Sequence, residues 1–426
     1  MQGRRVVITG IGIISSIGDS VVQVEHALRH GRSGTRFAGD FCDHGLRSHV
    51  CGEVRPFVEG RLPSKLGRIM GSGVAANYLA MRQAIEDAGL ASEDISNPRT
   101  GLIMGSGGTS AGALVEAADT LRQRGIRRVV PFTVLKSMCS THAAGLAHAF
   151  DIRGISHSVS AACASSLVAV GHASEKIRWG VQDVMFAGGG EEVHWVMGLI
   201  FDAMHALAAN ANDCPEQASR PFDRRRGGFV ISGGGGVVVL EEKQRALARG
   251  ARIWGEVTGF AETSGAGDIV RPDIEAMERC MRGALEQAGC RPDYINVHAT
   301  GTPLGDVAEA EALRRIFPGG TCPPFSATKS LTGHALGAAG VHELIYSLLM
   351  MDGGFIAPTI NLERPDPAVV DMPLVTERER RAEIDCILTN NFGFGGANAS
   401  LVVSRVLPRR SRTGGNLQSP ARGIDR

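Results

Sequence analysis

The chain contains the segment Met81-Arg-Gln-Ala-Ile-Glu-Asp-Ala-Gly89, which returns 200 residues later as Met281-Arg-Gly-Ala-Leu-Glu-Gln-Ala-Gly289. Each copy has the apolar spacing of an amphipathic helix and ends in a glycine suited to a left-handed C-cap. Each continues through a polar linker into an apolar run, Gly101-Leu-Ile-Met104 in one copy and Tyr294-Ile-Asn-Val297 in the other. Two helix–strand units in the same order predict a duplicated α/β domain.

A second pair of segments keeps nearly the same offset. The run Asp183-Val-Met-Phe-Ala-Gly-Gly-Gly190 matches Asp385-Cys-Ile-Leu-Thr-Asn-Asn-Phe392, and a glycine-rich run and an apolar strand follow in both halves. We therefore predict an N-terminal half at residues 1–250 and a C-terminal half at residues 251–408. Residues 409–426 contain five arginines and almost no apolar side chains, which predicts a disordered tail.

The composition excludes several classes of protein. Of 426 residues, 43% are hydrophobic and 21% charged, enough apolar material for a folded core. Lysine and arginine (45) balance aspartate and glutamate (44), so no basic excess is present for neutralising nucleic-acid phosphates. We find no apolar run of the roughly 18 residues that a membrane helix needs, and no signal-peptide pattern. Nine scattered cysteines without a CxxC pair predict reduced thiols and a cytoplasmic protein.

Cys163 lies at a predicted turn between an alternating, strand-like run and a helix rich in small residues. At such a turn, free backbone N–H groups and the positive end of the helix dipole favour a thiolate and can hold an oxyanion. A cysteine in small apolar surroundings is, however, more often an inert core residue. Cys163 alone therefore does not decide between catalysis and packing.

Two histidines of the second half occupy comparable positions. His298 follows the strand at residues 294–297 and opens a loop of small residues, and His334 stands at the start of an Ala/Gly-rich helix. Lys329, one of only five lysines in the chain, precedes His334 in the same segment. A single histidine is usually a satisfied polar residue, but one cysteine and two histidines at strand ends or helix starts predict a thiol active site.

These motifs resemble the β-ketoacyl-acyl-carrier-protein synthases of the thiolase superfamily, which have a Cys-His-His active site. The resemblance extends over about residues 4–406 and is carried by Ala161-Ala-Cys163-Ala-Ser-Ser, Lys329-Ser-Leu-Thr-Gly-His334 and Asn391-Phe-Gly-Phe-Gly-Gly-Ala-Asn398. Within the family the chain is most similar to the bacterial type I elongating enzymes, in runs such as Phe201-Asp-Ala-Met204. The resemblance implies a thiolase-like duplicated α/β fold with five αβαβα layers and two pseudo-symmetric halves.

The resemblance also implies a decarboxylative Claisen condensation, in which malonyl carried on acyl carrier protein elongates an acyl group on Cys163 by two carbons. A soft thiol suits transfer between thioesters, and neutral N–H groups of His298 and His334 suit the enolate formed on decarboxylation. The backbone N–H groups of Cys163 and Phe394 are implied to hold the oxyanion. The further positions implied are Lys329 and Glu343 supporting His334, Thr300 and Thr302 near the malonyl carboxylate and pantetheine arm, and Phe392 and Phe394 in a gating loop. No cofactor or metal is implied, since the substrates arrive on phosphopantetheine.

Two kinds of partner follow from the same resemblance: an acyl carrier protein and a second copy of the chain in a homodimer. Acyl carrier protein is acidic, and its contacting positions in the family align with Lys65, Arg68, Arg124 and Arg127. Met138 and Phe201 match residues that line the acyl pocket at the dimer interface. We expect neither a nucleic acid nor a membrane as a partner.

The sequence departs from the family pattern at two positions. The usual His-Gly-Thr-Ser-Thr-Pro reads His298-Ala-Thr-Gly-Thr-Pro303, so Ala299 would be strained if its position needed a positive φ. Ala397 stands where threonine is common.

Other functions fit less well. A dinucleotide-binding enzyme would use the strand entering Gly10-Ile-Gly12, but Ser15 stands at the third glycine position. A thiolase would need a second cysteine in the last glycine loop, a zinc protein would need clustered ligand spacing, and a chain-length-factor-like subunit would lack Cys163. A condensing enzyme of a secondary polyketide or specialised lipid pathway, or a type II-like elongating synthase, stays open as an alternative.

Overall fold

The computed structural model describes residues 3–58, 60–378 and 380–406, so the tail predicted at residues 409–426 lies outside the described residues. The strands are β1 (Val6–Ile14), β2 (Arg36–Phe37), β3 (Val50–Cys51), β4 (Thr100–Gly105), β5 (Ser156–Val159), β6 (Val184–Glu191), β7 (Gly234–Glu242), β8 (Gly255–Ser264), β9 (Tyr294–Asn296), β10 (Phe325–Ser326), β11 (Phe355–Ile356), β12 (Arg380–Arg381), β13 (Cys386–Phe392) and β14 (Ala397–Ser404).

The helices are α1 (Val21–His30), α2 (Gly39–Asp43), α3 (Arg55–Val58), α4 (Ser64–Gly67), α5 (Ser72–Ala88), α6 (Ser92–Ile95), α7 (Ala111–Arg124), α8 (Thr133–Ser137), α9 (Thr141–Phe150), α10 (Ser165–Arg178), α11 (Trp195–Ala203), α12 (Lys243–Ala248), α13 (Ile274–Ala288), α14 (Pro303–Ile316), α15 (Lys329–Thr332) and α16 (Ala339–Gly353). Short 3₁₀ helices lie at Ile126–Arg128, Pro215–Gln217, Leu336–Ala338 and Phe394–Gly396.

The main sheet repeats one strand topology twice. Its order is β10-β9-β13-β14-β8-β1-β7-β6-β4-β5. One set consists of β1, β4, β5, β6 and β7, and the other of β8, β9, β10, β13 and β14. When the strands of each set are numbered 1 to 5 along the chain, both sets have the order 3-2-4-5-1. Strand 5, which is β7 or β14, is antiparallel to both neighbours. The two sets meet through two residue pairs between β1 and β8, Val7 with Glu256 and Ile8 with Gly255. The predicted duplicated, thiolase-like α/β fold is confirmed.

The helices form three layers around the two sets of strands. Helices α5 and α9 pack on the first set, and α13, with α14 against it, packs on the second. Helices α10 and α16 lie between the sets, in contact with each other and with β6 and β13 respectively. This gives the five αβαβα layers and places the helix that follows Cys163 against the helix that follows His334.

The repeated helices pack against glycines of the repeated strands. Helices α5 and α13 end at Gly89 and Gly289, whose φ angles are +61° and +63°, as the C-cap pattern predicts. A Cβ on Gly10 would lie 2.3 Å from the carbonyl oxygen of Ala84, and a Cβ on Gly259 would lie 2.0 Å from that of Ala284. Gly10 therefore has a packing role, and this accounts for the strand-to-glycine motif that resembles a dinucleotide-binding turn.

The connection between the halves runs from α12 to β8. The predicted boundary between residues 250 and 251 lies in this connection and stays a prediction about domain organisation. No helix in the described part of the chain combines the length and the apolar character that crossing a bilayer requires.

Candidate active site

Cys163 occupies a tight turn between β5 and α10. Ala162 has a φ of +48°, which is costly for a residue with a Cβ, by about 1–2 kcal/mol. The Ser165 hydroxyl stabilises the turn, because its Oγ accepts from the N–H of Ala161 (2.8 Å) and donates to the carbonyl of Ala162 (2.6 Å). The turn brings the Cys163 sulfur into a cavity of about 330 Å³ at the start of the helix.

Burial decides the protonation state of this sulfur. It raises the pKa of Cys163 to about 11, although the charge of Lys329 and the backbone N–H groups of Phe394 and Cys163 act in the opposite direction. The resting residue is therefore a thiol, and desolvation outweighs the N–H groups from which the sequence predicts a thiolate. The same two N–H groups face the sulfur, where they can hold an oxyanion that forms on the attached carbonyl.

The two histidines face Cys163 as neutral rings. His334 Nε2 lies 3.0 Å from the Cys163 sulfur, and the rings of His298 and His334 are nearly perpendicular, with centroids 5.2 Å apart. Burial, and next the charge of Lys329, hold the pKa of both rings well below the usual value. Neither ring is charged near neutral pH, as an enolate-stabilising N–H donor requires.

The hydrogen bonds assign the proton of each ring. Asn391 Nδ2 lies 3.3 Å from His298 Nδ1, and because an amide NH₂ group only donates, Nδ1 accepts and the proton is on Nε2. His334 Nδ1 is buried without a partner among the described residues. An orphaned N–H is rarer than an orphaned lone pair, so we assign this proton to Nε2 as well. Both Nε2–H groups are thus donors.

A buried network of hydrogen-bonded polar side chains adjoins His298 and His334. Lys329 Nζ lies 2.5 Å from one carboxylate oxygen of Glu343, and the other oxygen accepts from Asn391 Nδ2 at 2.7 Å. Burial raises the pKa of Glu343, and Lys329 opposes that shift. The pair is expected to support His334. In the structure, hydrogen bonds through Asn391 connect the Lys329–Glu343 pair to His298. The pair has an electrostatic effect on His334.

Two carboxylates that the sequence analysis leaves without a role hold the loop after His298. Glu309 accepts from the N–H groups of His298 (2.9 Å) and Ala299 (2.8 Å), and Asp306 accepts from that of Gly301 (3.0 Å). Burial raises the pKa of Glu309 to about 7 and that of Asp306 to about 6. The positive φ of this loop, +90°, falls on Gly301, so Ala299 does not bear the strain considered for it.

Glu191 is a third buried carboxylate to which the sequence motifs assign no role. It accepts from the N–H of Gly107 at 2.7 Å and from that of Gly337 at 3.1 Å, joining the segment after β4 to the segment after His334. Burial raises its pKa to about 8. No spacing in the sequence could reveal Glu191 or Glu309, because their partners are backbone groups that any residue offers.

The structure brings most of the predicted site together. The cavity is lined by Cys163, His298, His334, Thr300, Thr302, Phe201, Phe392 and Phe394. Phe392 is buried with its ring edge-on to His298, whereas Phe394 is 39% exposed. Met138 lies outside this cavity and is 43% exposed. Lys65, Arg68, Arg124 and Arg127 lie on the exposed surface, on or beside α4 and α7.

The side chains of Cys163, His298 and His334 could also hold a metal ion. One ligand atom each from Cys163, His298 and His334 lies within 4.8 Å of the other two. These residues come from distant parts of the chain, so ligand spacing in the sequence could not show the cluster.

The arrangement supports two chemical steps. The Cys163 thiol can take an acyl group from a thioester, with the carbonyl oxygen held by the N–H groups of Cys163 and Phe394. The two Nε2–H groups can then converge on the oxygen of a second thioester while an enolate forms next to it. Neutral donors suit this step, since they stabilise the developing charge without giving up a proton.

The chain matches known proteins over most of its length. Residues 3–246 match the family "Beta-ketoacyl synthase, N-terminal domain" and residues 254–363 match "Beta-ketoacyl synthase, C-terminal domain". The chain is 48% identical to 3-oxoacyl-[acyl-carrier-protein] synthase 1 of Haemophilus influenzae, over 94% of this chain and 99% of the relative. It is 49% identical to the Escherichia coli protein of the same name, over 95% and 99%.

A solved structure agrees with this match. A β-ketoacyl synthase from Burkholderia phymatum superposes with a TM-score of 0.88 at 35% identity, over 95% of this chain and all of that one. Together with the buried Cys-His-His cluster, these matches establish that the chain belongs to the β-ketoacyl synthase family.

Proposed function

We propose that this protein is an acyltransferase that elongates fatty acyl chains, as a 3-oxoacyl-[acyl-carrier-protein] synthase of the type I elongating class. The observation that carries the proposal is the Cys163 sulfur 3.0 Å from His334 Nε2, with neutral His298 beside it in one cavity. A thiol, two backbone donors and two imidazole donors are what an acyl transfer followed by a decarboxylative condensation needs.

In the first half-reaction, the Cys163 sulfur attacks the thioester carbonyl of an acyl carrier protein. A new C–S bond forms, the old C–S bond breaks, and the departing pantetheine sulfur receives the thiol proton. In the second, malonyl carrier protein loses CO₂ and its enolate carbon attacks the acyl group on Cys163. That attack breaks the bond between the acyl carbon and the Cys163 sulfur, which takes up a proton from water, and leaves a 3-oxoacyl chain two carbons longer on the carrier protein. No step of this scheme uses a cofactor or a metal ion.

The test supplies purified protein with malonyl carrier protein and a ladder of acyl carrier proteins, and identifies products by mass. We expect 3-oxoacyl products two carbons longer than each accepted primer, and none with Cys163→Ala. Acceptance of ordinary fatty acyl primers supports the type I assignment. Products formed only from polyketide-like primers would instead favour a specialised pathway.

We propose that acyl carrier protein docks on Lys65, Arg68, Arg124 and Arg127. All four are exposed, and none forms an ion pair within the described residues. Their charges are therefore available to an acidic partner. Arg122, which does pair with Asp119 at 2.8 Å, gives a neighbouring control.

Charge reversal separates docking from damage. Changing Arg124 to Glu should raise KM for the carrier protein and weaken its salt dependence, whereas activity on short pantetheine thioesters should persist. Arg122→Glu should have a smaller effect, because its charge is already paired. Equal losses on both substrates would contradict the docking proposal.

We propose that the protein is a homodimer, with the exposed apolar side chains of residues 121–138 at the interface and the arginines of this segment at its rim, where the carrier protein can still reach Arg124 and Arg127. This segment exposes Leu121, Ile126, Val130, Phe132, Val134 and Met138, each more than 40% accessible. Exposed apolar side chains concentrated on one segment are typical of an interaction surface. A partner copy seated there would cover Met138 and bring it toward an acyl pocket.

Sedimentation equilibrium tests the homodimer directly. We expect a dimer for the unmodified chain and a shift toward monomer for Phe132→Asp. A monomeric unmodified chain would contradict the proposal.

We place the enzyme in the cytoplasm, because Cys163 must stay reduced to work and the cytosol keeps thiols reduced.

A further inference from the structure

Two cysteines of the second half face each other away from the active site. Cys290 follows the glycine that ends α13, and Cys386 is the first residue of β13. The active-site residues Asn391 and Phe392 lie at the opposite end of that strand, about 15–20 Å away at 3.3 Å per residue. Neither cysteine lines the active-site cavity.

The two sulfur atoms are in direct contact. Cys290 Sγ lies 2.7 Å from Cys386 Sγ, and both residues are free cysteines. A disulfide bond is about 2.0 Å long, so the sulfurs need to move less than 1 Å to bond. The residues are 96 positions apart in the chain, so tertiary structure alone brings them together.

The backbone beside the pair is held in place. The N–H of Asp293 donates to the carbonyl of Cys386 at 2.8 Å, and the Asp293 carboxylate accepts from the N–H of Cys386 at 2.9 Å. These bonds connect the chain just after Cys290 to the start of β13. The short sulfur–sulfur distance therefore belongs to a braced part of the fold and not to a loose loop.

We propose that Cys290 and Cys386 form an intramolecular disulfide when the protein meets a hydroperoxide. Cys290 is partly exposed and Cys386 is 5% exposed, so the oxidant reaches Cys290 first. Burial and the neighbouring Cys290 sulfur raise the pKa of Cys386, which disfavours its thiolate and so its direct reaction with the oxidant.

The chemistry takes two steps. The Cys290 sulfur attacks the O–O bond of the hydroperoxide, an S–O bond forms, and the other oxygen leaves as an alcohol or water after taking a proton. The Cys386 sulfur then attacks the sulfenic acid on Cys290, the S–S bond forms, and water leaves. The two thiols together lose two electrons and two protons, which reduce the peroxide.

The cross-link would join the end of α13 to the start of β13. Closing a loop of nearly one hundred residues restricts the unfolded chain, so the oxidised protein should be more stable than the reduced one. A cytosolic disulfide of this kind is transient and is reversed by cellular thiols.

The experiment treats the full-length protein with tert-butyl hydroperoxide, blocks remaining thiols and maps peptides without reduction. We expect one linked species joining Cys290 to Cys386, 2 Da lighter than the two free-thiol peptides and reversed by dithiothreitol. We also expect a rise of several degrees in Tm for the oxidised protein.

Three variants sharpen the result. Cys290→Ser should abolish the link and the rise in Tm. Cys386→Ser should leave Cys290 as a sulfenic acid that dimedone labels. Cys322→Ser, at a partly buried cysteine of the same half, should leave both the link and the Tm rise intact. Recovery of Cys290 and Cys386 as free thiols, while other cysteines are oxidised, would overturn the proposal, and a link without a rise in Tm would overturn its stabilising role.

Discussion

At the residue scale, the neutral state of His298 and His334 follows from burial next to a buried cation. Lys329 is 1% exposed and is hydrogen-bonded to Glu343, so its charge is held behind both rings. A charged imidazole there would lose its hydration and face a like charge. Burial, and next the charge of Lys329, therefore keep both rings neutral, while Asn391 sets the tautomer of His298.

The role of Asn391 predicts a selective defect. Asn391→Leu removes the donor to His298 Nδ1, so the ring proton is no longer directed to Nε2. Decarboxylation of malonyl carrier protein should fall by at least about tenfold, with the loss of a whole oxyanion donor, about 10²–10³, as the upper bound. Acylation of Cys163, measured on the same sample, should change much less and serves as the internal control. Equal losses in both half-reactions would contradict a positioning role.

Glu191 predicts a pH-dependent difference in stability. In the folded protein the Glu191 carboxyl group stays protonated up to about pH 8, whereas in the unfolded chain it loses its proton near pH 4.5. The raised pKa therefore contributes stability that is present below pH 4.5 and is lost as the pH rises toward 8. Glu191→Gln keeps one oxygen for the two N–H groups and cannot ionise. As the pH rises from 4.5 to 8, the free energy of unfolding of Glu191→Gln should increase relative to that of the unmodified protein by up to about 1.4 kcal/mol per pH unit.

Urea unfolding of both proteins between pH 5 and 8.5 measures this difference. A difference that stays constant with pH would show that Glu191 is ionised throughout. Glu241→Gln would not serve as a control, because that carboxylate is paired with Arg245 and Arg249.

Residue roles differ in how far the sequence reveals them. Cys163, His298 and His334 stand in small-residue motifs whose residue types suit thioester chemistry, so both pattern and resemblance point to them. Glu309 and Glu191 act on backbone N–H groups that are distant or unspecific in sequence, so no motif marks them. The link from Lys329 and Glu343 to His298 depends on the Asn391 rotamer, which only the folded protein supplies.

At the element scale, the loop after β13 contacts the loop after β8. The N–H of Gly265 donates to the carbonyl of Gly396 at 2.9 Å, and the N–H of Gly395 donates to the carbonyl of Ile269 at 2.8 Å. Ile269 and Phe394 both line the cavity. The two loops therefore hold one wall of the site, including the N–H of Phe394.

Two neighbouring glycines in this loop allow a matched comparison. Gly395 and Gly396 have φ angles of +81° and +77°, but a Cβ on Gly395 would meet nothing within 4 Å, whereas one on Gly396 would lie 2.1 Å from the carbonyl oxygen of Gly265. Gly395→Ala should cost about 1–2 kcal/mol of backbone strain. Gly396→Ala should cost more, displace the loop and lower the rate of Cys163 acylation. Similar stability and rates for the two variants would contradict this account of the contact.

Element positions follow from the sequence where periodicity and caps coincide. Helices α5 and α13 and strands β4, β6 and β13 lie where the repeat predicts them. The start of α16 differs, because a 3₁₀ turn at Leu336–Ala338 separates it from His334. That turn carries a positive φ of +46° at Leu336, a local conformation that the run of small residues does not indicate.

At the scale of the whole molecule, the site exists because two copies of one topology face each other. Helix α10 follows Cys163 and α16 follows the His334 segment, and the two helices meet closely at Gly340, where a Cβ would lie 2.7 Å from that of Leu167. The Ser166 hydroxyl also accepts from the N–H of Val341 at 3.0 Å. The duplication is visible in the sequence, but the approach of the halves depends on packing between residues more than 170 positions apart.

This organisation assigns the nucleophile to the first half and the enolate donors to the second. His298→Ala and His334→Ala should therefore nearly abolish decarboxylation and condensation, with losses of about 10²–10³ or more, while acylation of Cys163 is much less impaired. Cys163→Gln should lose acylation and condensation yet still decarboxylate malonyl carrier protein, because both donors remain and the amide imitates an acylated thiol.

The most direct test of this division follows released CO₂ and acyl-enzyme separately for these three variants. The account predicts that the histidine variants acylate without decarboxylating, and that Cys163→Gln decarboxylates without acylating. Histidine variants that decarboxylate normally but fail to acylate would contradict it, since the histidines would then act by activating the thiol.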